Sequence, residues 1–185
     1  PEKYGGGGLD YVSLAIACEE LERVDTSLRV VMSVHVGLCG LGILQWGTEE
    51  QKEKYLTRMA TGELIGGFGL TEPNAGTDAA ALEATASRTE PPEAGHRGIS
   101  AFIVERSMPG FSSRPIHGKM GIRAGNTGSF VCQDVFVPRE NLLGREGEGF
   151  KVAMSCLDNG RYTVAAGATG LIAACIEASC KYAKE

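Results

Sequence analysis

The stretch Phe68-Gly69-Leu70-Thr71-Glu72-Pro73-Asn74-Ala75-Gly76-Thr77-Asp78 leaves a short apolar run and enters a turn rich in hydroxyl groups. Pro73 fixes one backbone torsion and Gly76 permits a positive one, so a tight turn is expected. In that turn the hydroxyls of Thr71 and Thr77, with nearby amides, can converge on an anion or on the polar edge of a ring. On the physics alone, a capped loop without a ligand is the favoured alternative.

The residues before this stretch have the spacing of helices. Leu9, Val12 and Ile16 recur at helical intervals and indicate an amphipathic helix. A second helix, capped by one of residues 25–27, is expected to run to Gly47. Its expected apolar face consists of Leu28, Val31, Met32, Leu38 and Leu41.

Glycines and a capping motif shape the rest of this helical region. Gly37, Gly40 and Gly42 lie inside the second helix and indicate close packing against a neighbour. Thr48-Glu49-Glu50-Gln51 has the form of a capping box, in which the threonine hydroxyl binds the third amide and the glutamine reaches back. The helix that it opens is expected to end near Gly62. The first third of the chain is therefore predicted to be helical.

Short apolar runs broken by glycine follow and are typical of strands, at residues 64–70, 99–104 and 129–137. From Glu148 the pattern returns to helical, and the alanine-rich residues 164–184 contain no proline. Because the strands are grouped and do not alternate with helices, the order argues against a parallel doubly wound sheet. The predicted fold class is α+β.

The charge pattern excludes two classes of partner. Eighteen Lys and Arg against 23 Asp and Glu give a net charge of −5 among 185 residues, with no basic cluster. A nucleic-acid surface or a polybasic membrane anchor needs positive charge concentrated on one face. No apolar run approaches 18 residues, so no membrane span is expected.

Cysteine and histidine usage predicts neither a metal site nor disulfides. The six cysteines contain no C-x-x-C, and the three histidines are not interleaved with them at ligand spacing. We interpret the cysteines as reduced core thiols in a reducing compartment. His35 lies in an apolar helix and is expected to be a histidine with satisfied nitrogens in a core or groove, and not a base.

Residues 69–78 resemble the flavin-contacting signature of the acyl-CoA dehydrogenase family, [GAC]-[LIVM]-[ST]-E-x-x-[GSAN]-G-[ST]-D, at every fixed position. The resemblance extends along nearly the whole chain in the order of the family's middle portion. The other matching stretches are Tyr4-Gly5-Gly6, Gly47-Thr48-Glu49-Glu50-Gln51-Lys52, Lys119-Met120-Gly121-Ile122-Arg123, Val137-Pro138-Arg139-Glu140-Asn141-Leu142-Leu143-Gly144 and Leu157-Asp158-Asn159-Gly160-Arg161.

The resemblance implies an α+β fold in three parts. These are an N-terminal helical domain over residues 1–63, a central antiparallel β-domain over residues 64–146, and the first helix of a C-terminal four-helix bundle over residues 147–185. Both helical parts are expected to be incomplete. Members of the family bind FAD between the β-domain and the bundle and assemble as tetramers, so a homo-oligomer is expected.

The activity that the resemblance implies is FAD-dependent α,β-dehydrogenation of an acyl-CoA thioester to the trans-2-enoyl-CoA, with electrons passed to electron-transferring flavoprotein. A glutamate takes the α-proton while a hydride passes from the β-carbon to the flavin. Two alternatives stay open, an acyl-CoA oxidase that uses oxygen and a non-catalytic member that binds flavin or acyl-CoA. The expected location is the cytoplasm of a bacterium or the mitochondrial matrix of a eukaryote.

Site residues are carried over from the family's motifs onto matching positions. The cofactor-binding set is Phe68, Gly69, Leu70, Thr71, Gly76 and Thr77. The substrate-binding set is Thr77, Asp158, Asn159 and Arg161. Asp158 and Arg161 are three residues apart near the expected start of a helix, and a surface ion pair is their alternative interpretation.

One departure from the family falls in the β-domain. After Ser87-Arg88 the family continues with two strands that carry K-x-W-I-[ST], but here Thr89-Glu90-Pro91-Pro92 follows, so a segment near residues 88–90 is missing. The sole tryptophan, Trp46, is expected in a helix and cannot replace it. Either the segment was left out of this sequence or the protein truly lacks it, and we favour the first, because a β-domain without two strands would expose its edges.

The catalytic glutamate is the second departure. It is expected beyond Glu185, and the position that carries it in a minority of the family is Gly160. Glu72 is expected to be structural at its turn. Without the rest of the bundle, an apolar helix face over residues 164–178 should be left uncovered, which predicts missing chain, a partner subunit or poor stability.

Overall fold

The structure is a computed structural model that describes residues 1–82, 84 and 92–185. Helices make up most of it, and two small antiparallel sheets lie between the helical parts. The α-helices are α1 (Tyr11–Val24), α2 (Thr26–Met32), α3 (Leu41–Trp46), α4 (Glu49–Ala60) and α5 (Gly149–Tyr182). The strands are β1 (Ala101–Phe102), β2 (Phe111–Pro115), β3 (Gly128–Cys132) and β4 (Leu142–Leu143). Short 3₁₀ helices span Glu2–Tyr4, Ala79–Ala81, Pro92–Gly98 and Arg139–Asn141.

The helix starts follow the capping residues in the sequence. Asp25 caps α2 by accepting a hydrogen bond from the Ser27 amide at 2.6 Å. The capping box of α4 is confirmed, because the Gln51 amide donates to Thr48 Oγ1 at 3.2 Å and the Gln51 side chain accepts from the Thr48 amide at 2.9 Å. These ends are set by contacts within four residues, so the local sequence is enough to predict them.

The second predicted helix is continuous from Thr26 to Trp46, and we call it the central helix. Its middle, Ser33–Gly40, is π-helical and joins α2 to α3. The central helix lies against α5 at its glycines: a Cβ atom at Gly37 would lie 3.5 Å from Thr163, and one at Gly42 would lie 2.8 Å from Cys156 Sγ. The prediction of close packing at these glycines is confirmed.

A buried polar network joins α1, the central helix and α5. The Arg29 guanidinium pairs with the Glu22 carboxylate, and both side chains are buried. The Thr163 hydroxyl donates to Gly160 O at 2.8 Å, so it accepts its other hydrogen bond from the Ser33 hydroxyl. Because each of these groups has a partner, the helices can meet along a polar seam.

The predicted apolar faces are wrong in α1 and at the start of the central helix, while Met32, Leu38 and Leu41 of the predicted face are half-buried. Leu9 is 80% exposed, and Val12, Ile16, Leu28 and Val31 are exposed as well. The buried positions of α1 are instead Cys18 and Glu22, and those of α2 are Ser27 and Arg29. The physical reason is the close approach to α5, where a Cβ atom at Gly170 would collide with the Glu19 carbonyl, so small and paired polar groups pack inside.

The predicted strands are only partly present. Residues 64–70 form no strand, and residues 99–104 contain only β1. Residues 129–137 contain all of β3 except its first residue, Gly128. The chain bends after β3 at Asp134, whose φ is +52°. β1 pairs with β4 and β2 pairs with β3, both antiparallel, with Ala101 opposite Leu143 and Phe111 opposite Cys132. The expected break near residues 88–90 lies outside the described residues.

Two apolar clusters and the thiols complete the interior. One cluster consists of Tyr4, Ile43, Tyr55, Leu56 and Met59, and the other of Leu143, Val152 and Cys156. All six cysteines are free. The expectation that all are core thiols is wrong, because Cys132, Cys175 and Cys180 are exposed.

The predicted uncovered face of the last helix is confirmed by the exposed Val164, Leu171, Ile172 and Ile176.

Two helices are long and apolar enough to cross a membrane by length and composition alone, the central helix and α5. This differs from the expectation that no such segment exists. It is weak evidence for a span, because the core helix of a soluble protein passes the same test. The central helix carries the buried Arg29, which pairs with Glu22 of α1, as a helix packed inside a protein can.

Arg29→Met should destabilise the fold by about 3–5 kcal/mol, because it leaves the Glu22 carboxylate buried without a partner. Denaturant unfolding followed by circular dichroism measures the change. Arg23→Met is the control, since Arg23 of α1 pairs with Glu177 of α5 nearer to solvent and should change stability by less than about 1 kcal/mol. Adding Glu22→Leu to Arg29→Met should recover most of the loss, and equal losses at Arg29 and Arg23 would contradict the account.

Candidate functional site

The signature loop, residues 68–78, closes on itself through a two-bond turn. The Glu72 amide donates to Ala75 O at 3.0 Å, and the Ala75 amide donates to Glu72 O at 3.2 Å. Pro73 and Asn74 form the tip, and Ala75 is buried beneath it. The Glu72 carboxylate accepts from the Ala84 amide at 3.1 Å, which is the structural role expected for it.

The polar edge of this loop faces open space. Thr71 and Thr77 are exposed, and within the described residues neither hydroxyl takes part in a hydrogen bond. A Cβ atom added at Gly67 or Gly76 would meet no atom within 4 Å. The loop therefore offers exposed backbone and two hydroxyl groups to solvent.

The opposite side of the loop is fixed by packing. Phe68 is half-buried against the cluster of Leu143, Val152 and Cys156. The ring of Phe130, on β3, covers Gly69 so closely that an added Cβ atom would overlap it. Phe130 stacks in turn on Phe111 of β2, with ring centroids 5.7 Å apart. Sequence reasoning missed this support, since the polar β2 sequence FSSRP carries no strand signal.

The second predicted set lies within α5 and not at its start. Asp158 and Arg161 form an ion pair at 2.6 Å, and both side chains are 70% exposed. Such a pair contributes little to stability, so the guanidinium is available to an anionic ligand. Asn159 lies apart from them, with its Oδ1 accepting from Tyr11 Oη at 3.1 Å, and its buried Nδ2 has no hydrogen-bond partner among the described residues.

The π-helical segment Ser33–Gly40 lies between the two sets. Leu38 packs against Gly160, where a Cβ atom would lie 2.9 Å from Leu38 Cδ2. The Gly66 amide, two residues before the signature loop, donates to His35 Nδ1 at 3.0 Å. Among the described residues, no hydrogen bond joins Asp158, Asn159 or Arg161 to residues 68–71, and the π-helical segment contacts both regions. The three glycines inside the helix were its only signal in the sequence.

The thiols beside the site are poor nucleophiles. Burial raises the pKa of Cys39 to about 11, and burial also raises the pKa of Cys156. Because the thiolate is the reactive form, neither group is activated near neutral pH. Within the described part of the chain, no three His, Cys, Asp or Glu side chains lie together as a possible metal site. What the site offers is positioning by backbone, hydroxyl and guanidinium groups.

Family models match both ends of the chain. The model described as acyl-CoA dehydrogenase, N-terminal domain, matches residues 1–63, and the model described as acyl-CoA dehydrogenase, C-terminal domain, matches residues 147–185. The short-chain-specific acyl-CoA dehydrogenase of Clostridium acetobutylicum is 41% identical over 215 positions that cover all of this chain and 56% of the relative. The chain thus spans about half of that relative. The alignment has 30 more positions than the chain has residues, so at least 30 positions of the relative have no counterpart here.

Solved structures show the same fold. A chain from a structure described as an electron transferring flavoprotein of Acidaminococcus fermentans has a TM-score of 0.94 at 43% identity, covering 100% of this chain and 56% of that one. An acyl-CoA dehydrogenase complexed with FAD from Bacillus anthracis has a TM-score of 0.83 at 36% identity, covering 92% of this chain and 33% of that one. The predicted α+β fold class is confirmed.

Gly69→Ala should destabilise the fold by about 1–3 kcal/mol, because the new methyl group overlaps the Phe130 ring. Gly67→Ala is the matched control, with no atom within 4 Å of the added methyl group and an expected change within about 0.5 kcal/mol. Chemical denaturation measures both. In the double variant Gly69→Ala with Phe130→Ala, the loss should be smaller than the sum of the single losses, and strict additivity would show that the two residues do not touch.

Proposed function

The chain belongs to the acyl-CoA dehydrogenase family, and on that premise we propose that it serves FAD-dependent α,β-dehydrogenation of an acyl-CoA thioester. The product is the trans-2-enoyl-CoA. The observation that supports this most strongly is the signature loop, whose open backbone and exposed threonines match the flavin-contacting motif at every fixed position. The alternatives are an oxidase that uses oxygen and a non-catalytic member that binds flavin or acyl-CoA.

The residues present fit a flavin. A planar ring needs exposed backbone and hydrogen-bond donors along one edge, and the loop has open space at Gly76 and exposed hydroxyls at Thr71 and Thr77. In this proposal Phe68, Gly69 and Leu70 contact the ring, and Thr71 donates to its polar edge. Thr77, next to Gly76, reaches the pyrophosphate. Bound FAD would supply the two-electron oxidation.

The protein's own contribution is to bind and orient. We assign Asp158, Asn159 and Arg161, together with Thr77, to the acyl-CoA. The Arg161 guanidinium is exposed and held in place by Asp158, so it can donate charge-assisted hydrogen bonds to an anionic group of the ligand. The proton-abstracting base is not assigned to a residue of this chain, since Glu72 is bound to the Ala84 amide and Gly160 has no side chain.

The wider assembly is also proposed. Electron-transferring flavoprotein is the proposed acceptor, supported by the likeness to a chain from the Acidaminococcus structure. We propose a homotetramer. Within each subunit we propose three structural parts, residues 1–63, 64–146 and 147–185. The first and last boundaries agree with the residues that the two family models match. The proposed location is the cytoplasm in a bacterium or the mitochondrial matrix in a eukaryote.

A visible spectrum of the purified full-length protein, followed by anaerobic addition of saturated acyl-CoAs of several chain lengths, tests the function. Flavin absorption bands should be present and should bleach with one class of chain. Thr71→Ala and Thr77→Val should each lower the flavin occupancy, while Thr169→Val, which removes an exposed hydroxyl bonded only within α5, should not.

The outcomes separate the alternatives. Bands that never bleach with any acyl-CoA would favour the non-catalytic binder. Bands that bleach and recover rapidly with oxygen, without an added acceptor protein, would favour the oxidase. Absence of flavin from protein supplied with excess FAD would overturn the proposal.

Arg161→Ala should raise the KM for acyl-CoA by roughly ten- to a hundredfold, because a hydrogen bond to a charged group contributes on the order of 1.5–3 kcal/mol. Steady-state kinetics with an artificial electron acceptor measures the effect. The flavin content should not change, and Lys181→Ala, an exposed change near the end of the same helix, should affect neither quantity. Loss of flavin from the Arg161 variant would contradict a role in acyl-CoA binding and would instead assign this residue to FAD binding or to the stability of the fold.

A further inference from the structure

We propose that His35 is a positioning residue for the flavin site. Its ring clamps the main chain at Gly66 and so fixes the signature loop that follows. The inference rests on the proposed function, because it assigns to His35 a role in flavin binding. His35 lies in the π-helical segment of the central helix and does not belong to the predicted site residues.

Both ring nitrogens of His35 have partners on other parts of the chain. The Gly66 amide donates to Nδ1 at 3.0 Å, and Nε2 lies 3.2 Å from the carbonyl oxygen of Met59. An amide can only donate, so Nδ1 must be the unprotonated acceptor and Nε2 must carry the hydrogen that Met59 O accepts. One side chain therefore ties the end of α4 and the approach to the signature loop to the central helix.

Gly66, whose amide binds His35, is tightly packed. A Cβ atom at Gly66 would lie 2.5 Å from Cys39 Sγ and 2.8 Å from Met59 Cε, so the main chain there is pressed against the helix. Only Gly67 separates Gly66 from Phe68, which packs on the cluster of Leu143, Val152 and Cys156. The His35 bond therefore fixes the main chain two residues before Phe68, the first of the proposed flavin-contacting residues.

The π-helical segment contacts both proposed halves of the site. His35 contacts the approach to the signature loop, and Leu38, three residues later, packs on Gly160 beside Arg161. The same short segment thus sets the position of both proposed halves of the site. Within the part of the chain that the structure describes, the His35 bond is the one hydrogen bond that holds residues 66–69, and a directional bond specifies their register more sharply than apolar packing does.

Paired substitutions separate the two hydrogen bonds. His35→Asn keeps an acceptor near the position of Nδ1, and His35→Gln keeps a donor near the position of Nε2. His35→Phe fills the space and keeps neither. His117→Gln, at an exposed histidine, is the control. For each full-length variant, titration with FAD gives the Kd, and thermal unfolding of the FAD-free protein gives the Tm.

We expect His35→Asn to keep the Kd for FAD within about threefold of the unchanged protein, and His35→Gln and His35→Phe to weaken it at least tenfold. The Tm of the Gln and Asn variants should be similar, so stability alone would not explain the difference. Long-range proton–nitrogen NMR of the unchanged protein should show the hydrogen of His35 on Nε2.

Two results would overturn the inference. One is an equal Kd for FAD in all variants that fold, which would make His35 a purely structural residue. The other is a hydrogen on Nδ1, which would exclude the Gly66 bond. Absence of FAD binding by the unchanged protein would instead overturn the proposed function, and with it the flavin role of His35, while the NMR result would still report on the clamp.

Discussion

The contact on which this structure depends is the close approach of the central helix, Thr26–Trp46, to its neighbours. Glycines make the approach possible, since Gly37 and Gly42 leave room for side chains of α5, and Gly160 leaves room for Leu38. A larger residue at these points would separate the helices. The π-helical segment of the central helix contacts the approach to the signature loop through His35 and packs on Gly160, beside Arg161, through Leu38, so the geometry of both depends on this packing.

Polar groups, and not only apolar ones, fill the seam that results. The charges of Glu22 and Arg29 neutralise one another. The Ser33 hydroxyl donates to the Thr163 hydroxyl, which donates in turn to a backbone carbonyl of α5. A seam of this kind tolerates little sliding, because any displacement leaves a buried donor or acceptor without a partner. The exposed apolar side chains along α1 and α5 lie on the outer faces of the same helices.

Features that depend on neighbouring residues could be predicted from the sequence, and features that depend on distant ones could not. The cap at Asp25 and the capping box at Thr48 follow from local hydrogen bonds. The strand predicted at residues 64–70 is absent, because an apolar run becomes a strand only where a partner strand lies beside it. The signature loop was found through a family motif, but the Phe130 ring beneath it and the His35 bond before it arise from tertiary packing.

The central claim is that the signature loop and the π-helical segment together form one flavin-binding unit. Hydrogen–deuterium exchange of the full-length protein, with and without FAD, tests this directly. We expect FAD to slow exchange in residues 66–77 and also in residues 33–40, with little change in residues 49–60 of α4. Slower exchange confined to other parts of the chain, or no change in either region at saturating FAD, would contradict the account.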